Sequence, residues 1–123
     1  MHAFIRSLKH ALDGLVDIYK CERNYRIQLT IGFLAILLSF ILKISATELA
    51  IITVCIGTVL TAEALNSAVE RFVDALIDKP DKRAQVAKDC SAAAALIASI
   101  TALAVGFLIF LPKILRILLY RQT

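Results

Sequence analysis

A line of acidic side chains begins where an apolar run would be expected to continue. In "EALNSAVERFVDALID", from Glu63 to Asp78, the first carboxylate follows a stretch from Leu49 to Ala62 that carries no charge. At about 100° per residue, Glu63, Glu70 and Asp74 fall on nearly one line of a helix, with Asn66 close beside it. At about 1.5 Å rise per residue the stripe runs roughly 16 Å, so its deep end meets hydrocarbon and its outer end meets water. An ionisable group near the bilayer centre costs about 2.5 to 3.5 kcal/mol, and it marks a functional site by default. Two plainer readings stand beside this one. Glu63 and Asn66 can simply hydrogen-bond neighbouring helices, and Glu70 and Asp74 can be solvated charges beyond the interface.

A second acidic position lies upstream in "KCERNYRIQL", where Glu22 and Arg26 are one helical turn apart. Taken alone this is an exposed ion pair worth about 0.2–0.5 kcal/mol. A three-span topology, however, brings Glu22 to the same interface as Glu70. Two carboxylates plus phosphate oxygens make a reasonable Mg²⁺ site, which points to a nucleotide. The segment "DKPDKRAQVAKDCSAAAA" adds Lys79, Lys82, Arg83 and Lys88, cations able to neutralise phosphates, although membrane topology alone accounts for most of them. No Walker-type glycine loop, protein-kinase catalytic loop or dinucleotide fingerprint is present, and the chain has only four glycines. Any ATP is therefore bound by something other than a soluble kinase fold.

The elements that must position these groups are membrane helices. The chain has 123 residues, 59% of them hydrophobic, with a mean hydropathy of +0.78, far above that of a soluble domain. The expected fold is all-α, with spans at about 27–43, 49–70 and 90–111, the last stopped by Pro112 and Lys113. The first span is short unless Lys43 snorkels outward. Residues 3–20 recur in Phe4, Leu8, Leu12, Leu15 and Tyr19 near helical spacing, as in an amphipathic helix lying on a leaflet. Asp13 and Asp17 weaken a purely electrostatic attachment there. The C-terminal "KILRILLYRQT" is similarly amphipathic. No secretory leader is visible, so the N-terminal segment is expected to be retained.

Ten Lys or Arg (Arg6, Lys9, Lys20, Arg23, Arg26, Arg71, Lys79, Lys82, Arg83, Lys88) fall on the side shared by the N-terminus and the second linker, against four on the other. The positive-inside rule then places the N-terminus in the cytoplasm. The net charge of +4 flanks apolar segments without aromatic interleaving, so it suits a membrane surface and not nucleic acid. Cys21, Cys55 and Cys90 lack C-x-x-C spacing and read as packing residues.

The blocks "ERNYR", "EALNSAVERFVD" and "AKDCSAAAALI", in that order, resemble the small prokaryotic integral-membrane lipid kinases, the diacylglycerol kinase and undecaprenol kinase family. The resemblance covers nearly the whole chain. It implies a homotrimer of three-span subunits in the bacterial cell membrane, with sites between neighbouring chains, MgATP as donor and a lipid alcohol as acceptor. On matching positions it implies Glu63 as general base, Glu22 and Glu70 as Mg²⁺ ligands, and Asn66 as an organiser of the stripe. Asp74, Lys88 and Asp89 would contact or orient the nucleotide, together with Glu22 and Glu70. "ERNYR" and the closing "FLPK" look closer to the undecaprenol kinase branch, although Gln28 stands where a His is expected in that branch.

These roles fit the chemistry. A lipid hydroxyl is a poor nucleophile, and a carboxylate in low-dielectric surroundings is a better base than one in water. Phosphoryl transfer otherwise needs in-line positioning and charge neutralisation. The expected activity is phosphorylation of undecaprenol, with diacylglycerol as the alternative acceptor. The rival from another class is a small oligomeric channel using Glu63 as an ion or proton site, for which Glu22 and Lys88 would be dispensable. A third reading is a membrane scaffold without activity.

Overall fold

The computed structural model describes residues 1–120; the end of "KILRILLYRQT", from Arg121, lies outside the described residues. Four helices follow in order: α1 (His2–Cys21), α2 (Arg23–Ile41), α3 (Ala46–Leu76) and α4 (Lys82–Tyr120). The last three are long and apolar enough to cross a membrane. At about 1.5 Å per residue, α3 and α4 exceed a hydrocarbon core of about 30 Å, so each carries polar turns beyond it.

Helix α1 ends because Glu22 takes an extended conformation, φ −100° and ψ 114°, and the same residue starts α2. Its backbone N–H still donates to the Ile18 carbonyl at 2.8 Å. Arg26 does not pair with Glu22. Its Nη1 donates to the carbonyls of Tyr19 and Lys20 at 3.0 and 2.8 Å, satisfying acceptors that the end of α1 leaves free. No residue of α1 is buried.

Between α2 and α3 the chain reverses through Lys43, whose φ of 48° is left-handed, and enters α3 through a capping box. The Glu48 N–H donates to Ser45 Oγ at 3.2 Å, and the Ser45 N–H donates to Glu48 Oε2 at 2.7 Å. Glu48 also meets Lys113 of α4 at 3.0 Å. At the other end, Asp81 starts α4 by accepting from the N–H groups of Arg83 and Ala84 at 2.6 and 3.3 Å. Helix α4 does not stop at Pro112 but runs through it. A proline forfeits one backbone bond to the preceding turn, and the remaining ladder carries the helix on.

Helix α3 packs against both α2 and α4 and forms the centre of the bundle. The buried set among the described residues is small: Tyr25, Gly32, Ile52 and Ala95, with Ser39, Glu63 and Ser67 among the polar residues. Many large apolar side chains stay exposed, Phe33, Val54, Leu103 and Leu108 among them, as expected where lipid is the solvent and small residues set the helix seams. Helices α2 and α3 approach closely at Gly32, where an added Cβ would stand 2.9 Å from Ile56 Cγ2.

Gly32→Val should therefore push the two helices apart at about 1–3 kcal/mol. A lowered thermal midpoint in detergent, recovered when Ile56→Ala is added, checks this; an unchanged midpoint would contradict the close packing.

Candidate functional site

The acidic line of α3 is divided between two helix seams. On the α2 side, Glu63 is 5% exposed, and its Oε2 accepts from Gln28 Nε2 at 3.0 Å. A buried carboxylate needs such a donor, because removing it from water without a partner is unfavourable. Gln28 also lines a groove of about 500 Å³ between α2, α3 and α4, whose walls are otherwise mostly hydrocarbon, including Ile52, Val59, Leu103 and Phe107. Glu63 thus stands behind Gln28, which forms a polar end of the apolar groove.

On the α4 side a relay of polar groups follows the seam outward. Ser91 Oγ lies 2.7 Å from Asn66 Oδ1 and 2.8 Å from the Lys88 carbonyl, and its one proton serves either acceptor. Asn66 Nδ2 donates to Glu70 Oε1 at 3.3 Å. One turn further out, Lys88 Nζ donates to Asp74 Oδ1 at 2.8 Å. Asn66, Glu70, Asp74 and Lys88 therefore share one seam, with Lys88 presenting a cation beside the carboxylates. Asp89 is exposed and accepts from Gln85 Nε2 of its own helix at 2.7 Å.

Glu22 stands apart from Glu70 in hydrogen bonding. Its Oε1 accepts from Arg71 Nη2 at 3.2 Å, while Arg71 Nη1 pairs with Asp17 of α1. Arg71 so bridges the last turn of α1, the joint at Glu22 and the outer part of α3. Among the described residues no group of three or more His, Cys, Asp or Glu is arranged to hold a metal. A Mg²⁺ ion carried by a nucleotide needs only one or two carboxylates beside phosphate oxygens and water. Glu22 and Glu70 match that donor chemistry, each with its Oε1 engaged by a neutral or cationic donor.

Sequence reasoning named the acidic line but missed Gln28, Arg71 and Ser91 as its partners, and it gave Asp17 no partner. Ser91 interrupts an alanine-rich stretch, the one local signal that was available. Gln28 and Glu63 are 35 residues apart, and no local pattern connects them. The three cysteines are free.

The profile of the family described as prokaryotic diacylglycerol kinase matches residues 9–110. An undecaprenol kinase of Bacillus subtilis is 32% identical over 93% of this chain and 93% of its own length. A diacylglycerol kinase of Synechocystis is 32% identical over 91% of this chain and 65% of its own. A diacylglycerol kinase of Haemophilus influenzae is 32% identical over 76% of this chain and 80% of its own.

The bridge at Arg71 generates a test at the α1–α2 joint. Arg71→Met should leave helix content unchanged and speed tryptic cleavage at Lys20 or Arg23 several-fold, because local opening there would no longer break two ion pairs. An unchanged cleavage rate would show that α1 is held by other means.

Proposed function

The chain belongs to the prokaryotic diacylglycerol kinase family of membrane lipid kinases, and from that premise we propose that it transfers the γ-phosphoryl group of ATP to undecaprenol at the cytoplasmic face of the membrane. Diacylglycerol is the alternative acceptor. The observation that carries this reading is the near-complete burial of Glu63 beside Gln28 at the polar end of the groove. A prenyl or acyl chain suits the hydrocarbon walls, and its hydroxyl would then meet Gln28, whose amide bonds the carboxylate. Similarity to the Bacillus subtilis undecaprenol kinase over 93% of both chains supports undecaprenol as acceptor.

In this reading Glu63 accepts the hydroxyl proton as the oxygen attacks the γ-phosphorus, and the bond to the leaving ADP oxygen breaks. Asn66, tied to Glu70 and Ser91, keeps the stripe in register between base and nucleotide. Lys88, with Asp74 fixing its ammonium, neutralises phosphate charge, and Asp89 orients the nucleotide from the exposed side of α4. Glu22 and Glu70 would hold Mg²⁺, which supplies charge neutralisation at the phosphates when bound. The N-terminus lies in the cytoplasm, as the Lys and Arg bias requires, and α1 rests on that leaflet with its apolar residues towards lipid. Three chains assemble so that a neighbour completes each site, which fits a single chain that leaves Glu22 and Glu70 unlinked and much apolar surface uncovered.

Purified protein in mixed micelles should phosphorylate undecaprenol with MgATP and prefer it to diacylglycerol. Glu63→Gln should lower turnover by about 10²–10⁴-fold while nucleotide binding persists. Retained turnover in that variant would remove the base assignment, and no turnover of either lipid by folded wild-type protein would favour the channel reading. Glu22→Gln and Glu70→Gln should each raise the Mg²⁺ concentration needed for half-maximal rate; an unmoved Mg²⁺ dependence would count against both as ligands.

A further inference from the structure

Gln28 makes a contact that the mechanism above does not use. Its Nε2 donates to Glu63 Oε2 at 3.0 Å, so one oxygen of the buried carboxylate is committed and the other is left to act. Its own Oε1 is buried and has no hydrogen-bond partner among the described residues. An unpartnered buried acceptor is unfavourable by about 1–3 kcal/mol, and it persists in folded proteins where a ligand supplies the missing donor. Gln28 also lines the apolar groove, so the donor that reaches it is one carried on a hydrocarbon body. The placement is built into the packing. Gly32, one turn along α2, has no room for a side chain against Ile56, so α2 and α3 lie close on the seam that carries Gln28 and Glu63.

We propose that Gln28 is a positioning residue that aims Glu63 with its amide N–H and seats the acceptor's hydroxyl with its carbonyl oxygen. The proposal rests on the reading of Glu63 as the base. Before transfer the hydroxyl donates to Gln28 Oε1; as attack begins its proton turns to Glu63 Oε1. The oxygen–phosphorus bond forms, the γ-phosphorus bond to the ADP oxygen breaks, the proton passes to Glu63, and no bond of Gln28 changes. A ligand of equal length that carries no hydroxyl leaves the carbonyl oxygen unpaired, and a site built on a buried polar group discriminates strongly against such an analogue.

Gln28→Met tests this, because methionine keeps the length of the side chain and removes both the donor and the amide acceptor. The expected result is a kcat lower by about tenfold or more, with a raised KM for the lipid alcohol and a KM for ATP within about twofold of wild type. The thermal midpoint in detergent should fall, since the buried Glu63 carboxylate loses its donor, so rates are compared at a temperature where helix content shows both proteins folded. Gln28→His should recover most of the rate, because a neutral imidazole carries one donor and one acceptor, as the amide does. Wild-type kcat and lipid KM in Gln28→Met would overturn the proposal. So would a loss that Gln28→His does not recover. Glu63→Gln assayed in parallel separates the two readings. If it retains turnover the base assignment fails; if it is inactive while Gln28→Met is unimpaired, only the role of Gln28 fails.

Discussion

A carboxylate in a membrane helix has to be given a hydrogen-bond donor by another helix, and the pairing of Glu63 with Gln28 is the constraint around which this bundle is arranged. The bond ties α2 to α3 at a fixed register and works only if the helices approach closely, which the missing side chain of Gly32 permits. The groove that opens beside the pair is apolar along its length and polar at the end where Gln28 stands. One contact thus links the fold to the chemistry. Without it α3 would bury a carboxyl group with no hydrogen-bond donor.

Helix α3 has two different neighbours, and this divides the acidic line between two seams. The face towards α2 buries a single carboxylate, Glu63. The face towards α4 is lined by hydroxyl, amide, ammonium and carboxylate groups that pass from Ser91 and Asn66 to Glu70, and from Lys88 to Asp74. Such a gradient from hydrocarbon to water suits a reaction whose two substrates differ in solubility. Phosphoryl transfer asks mainly for alignment and charge neutralisation, so a helical bundle can perform it without the glycine loop of soluble nucleotide-binding folds. Arg71 adds a mechanical element, since it draws Asp17 and Glu22 towards the outer part of α3 and so ties the joint of α1 and α2 to the stripe.

The helical class and the three apolar segments were legible in the sequence because hydrophobic length and charge bias are local properties. The ends of the helices were less so. Charges mark where hydrocarbon stops, whereas backbone hydrogen bonding continues, so α2 begins at Arg23, α3 runs on to Leu76 and α4 starts at Lys82. Pro112 reads as a stop, yet it costs α4 one bond in a ladder that is otherwise intact. The acidic line itself followed from helical geometry. Its partners did not: Gln28 lies 35 residues from Glu63 and Arg71 lies 49 from Glu22, and only tertiary packing brings them together. The expected pair of Glu22 with Arg26 gave way because the carbonyls at the end of α1 needed a donor that Arg26 was placed to supply.

The most direct measurement of the central claim is a structure of the protein in lipid with a non-hydrolysable ATP analogue and a prenyl alcohol bound. The account predicts the acceptor oxygen within hydrogen-bond reach of the Glu63 carboxylate, about 2.6–3.2 Å, with the γ-phosphate on its other side and the hydrocarbon chain in the groove. A Glu63 sealed in a dry helix contact, distant from both the alcohol and the nucleotide, would contradict it.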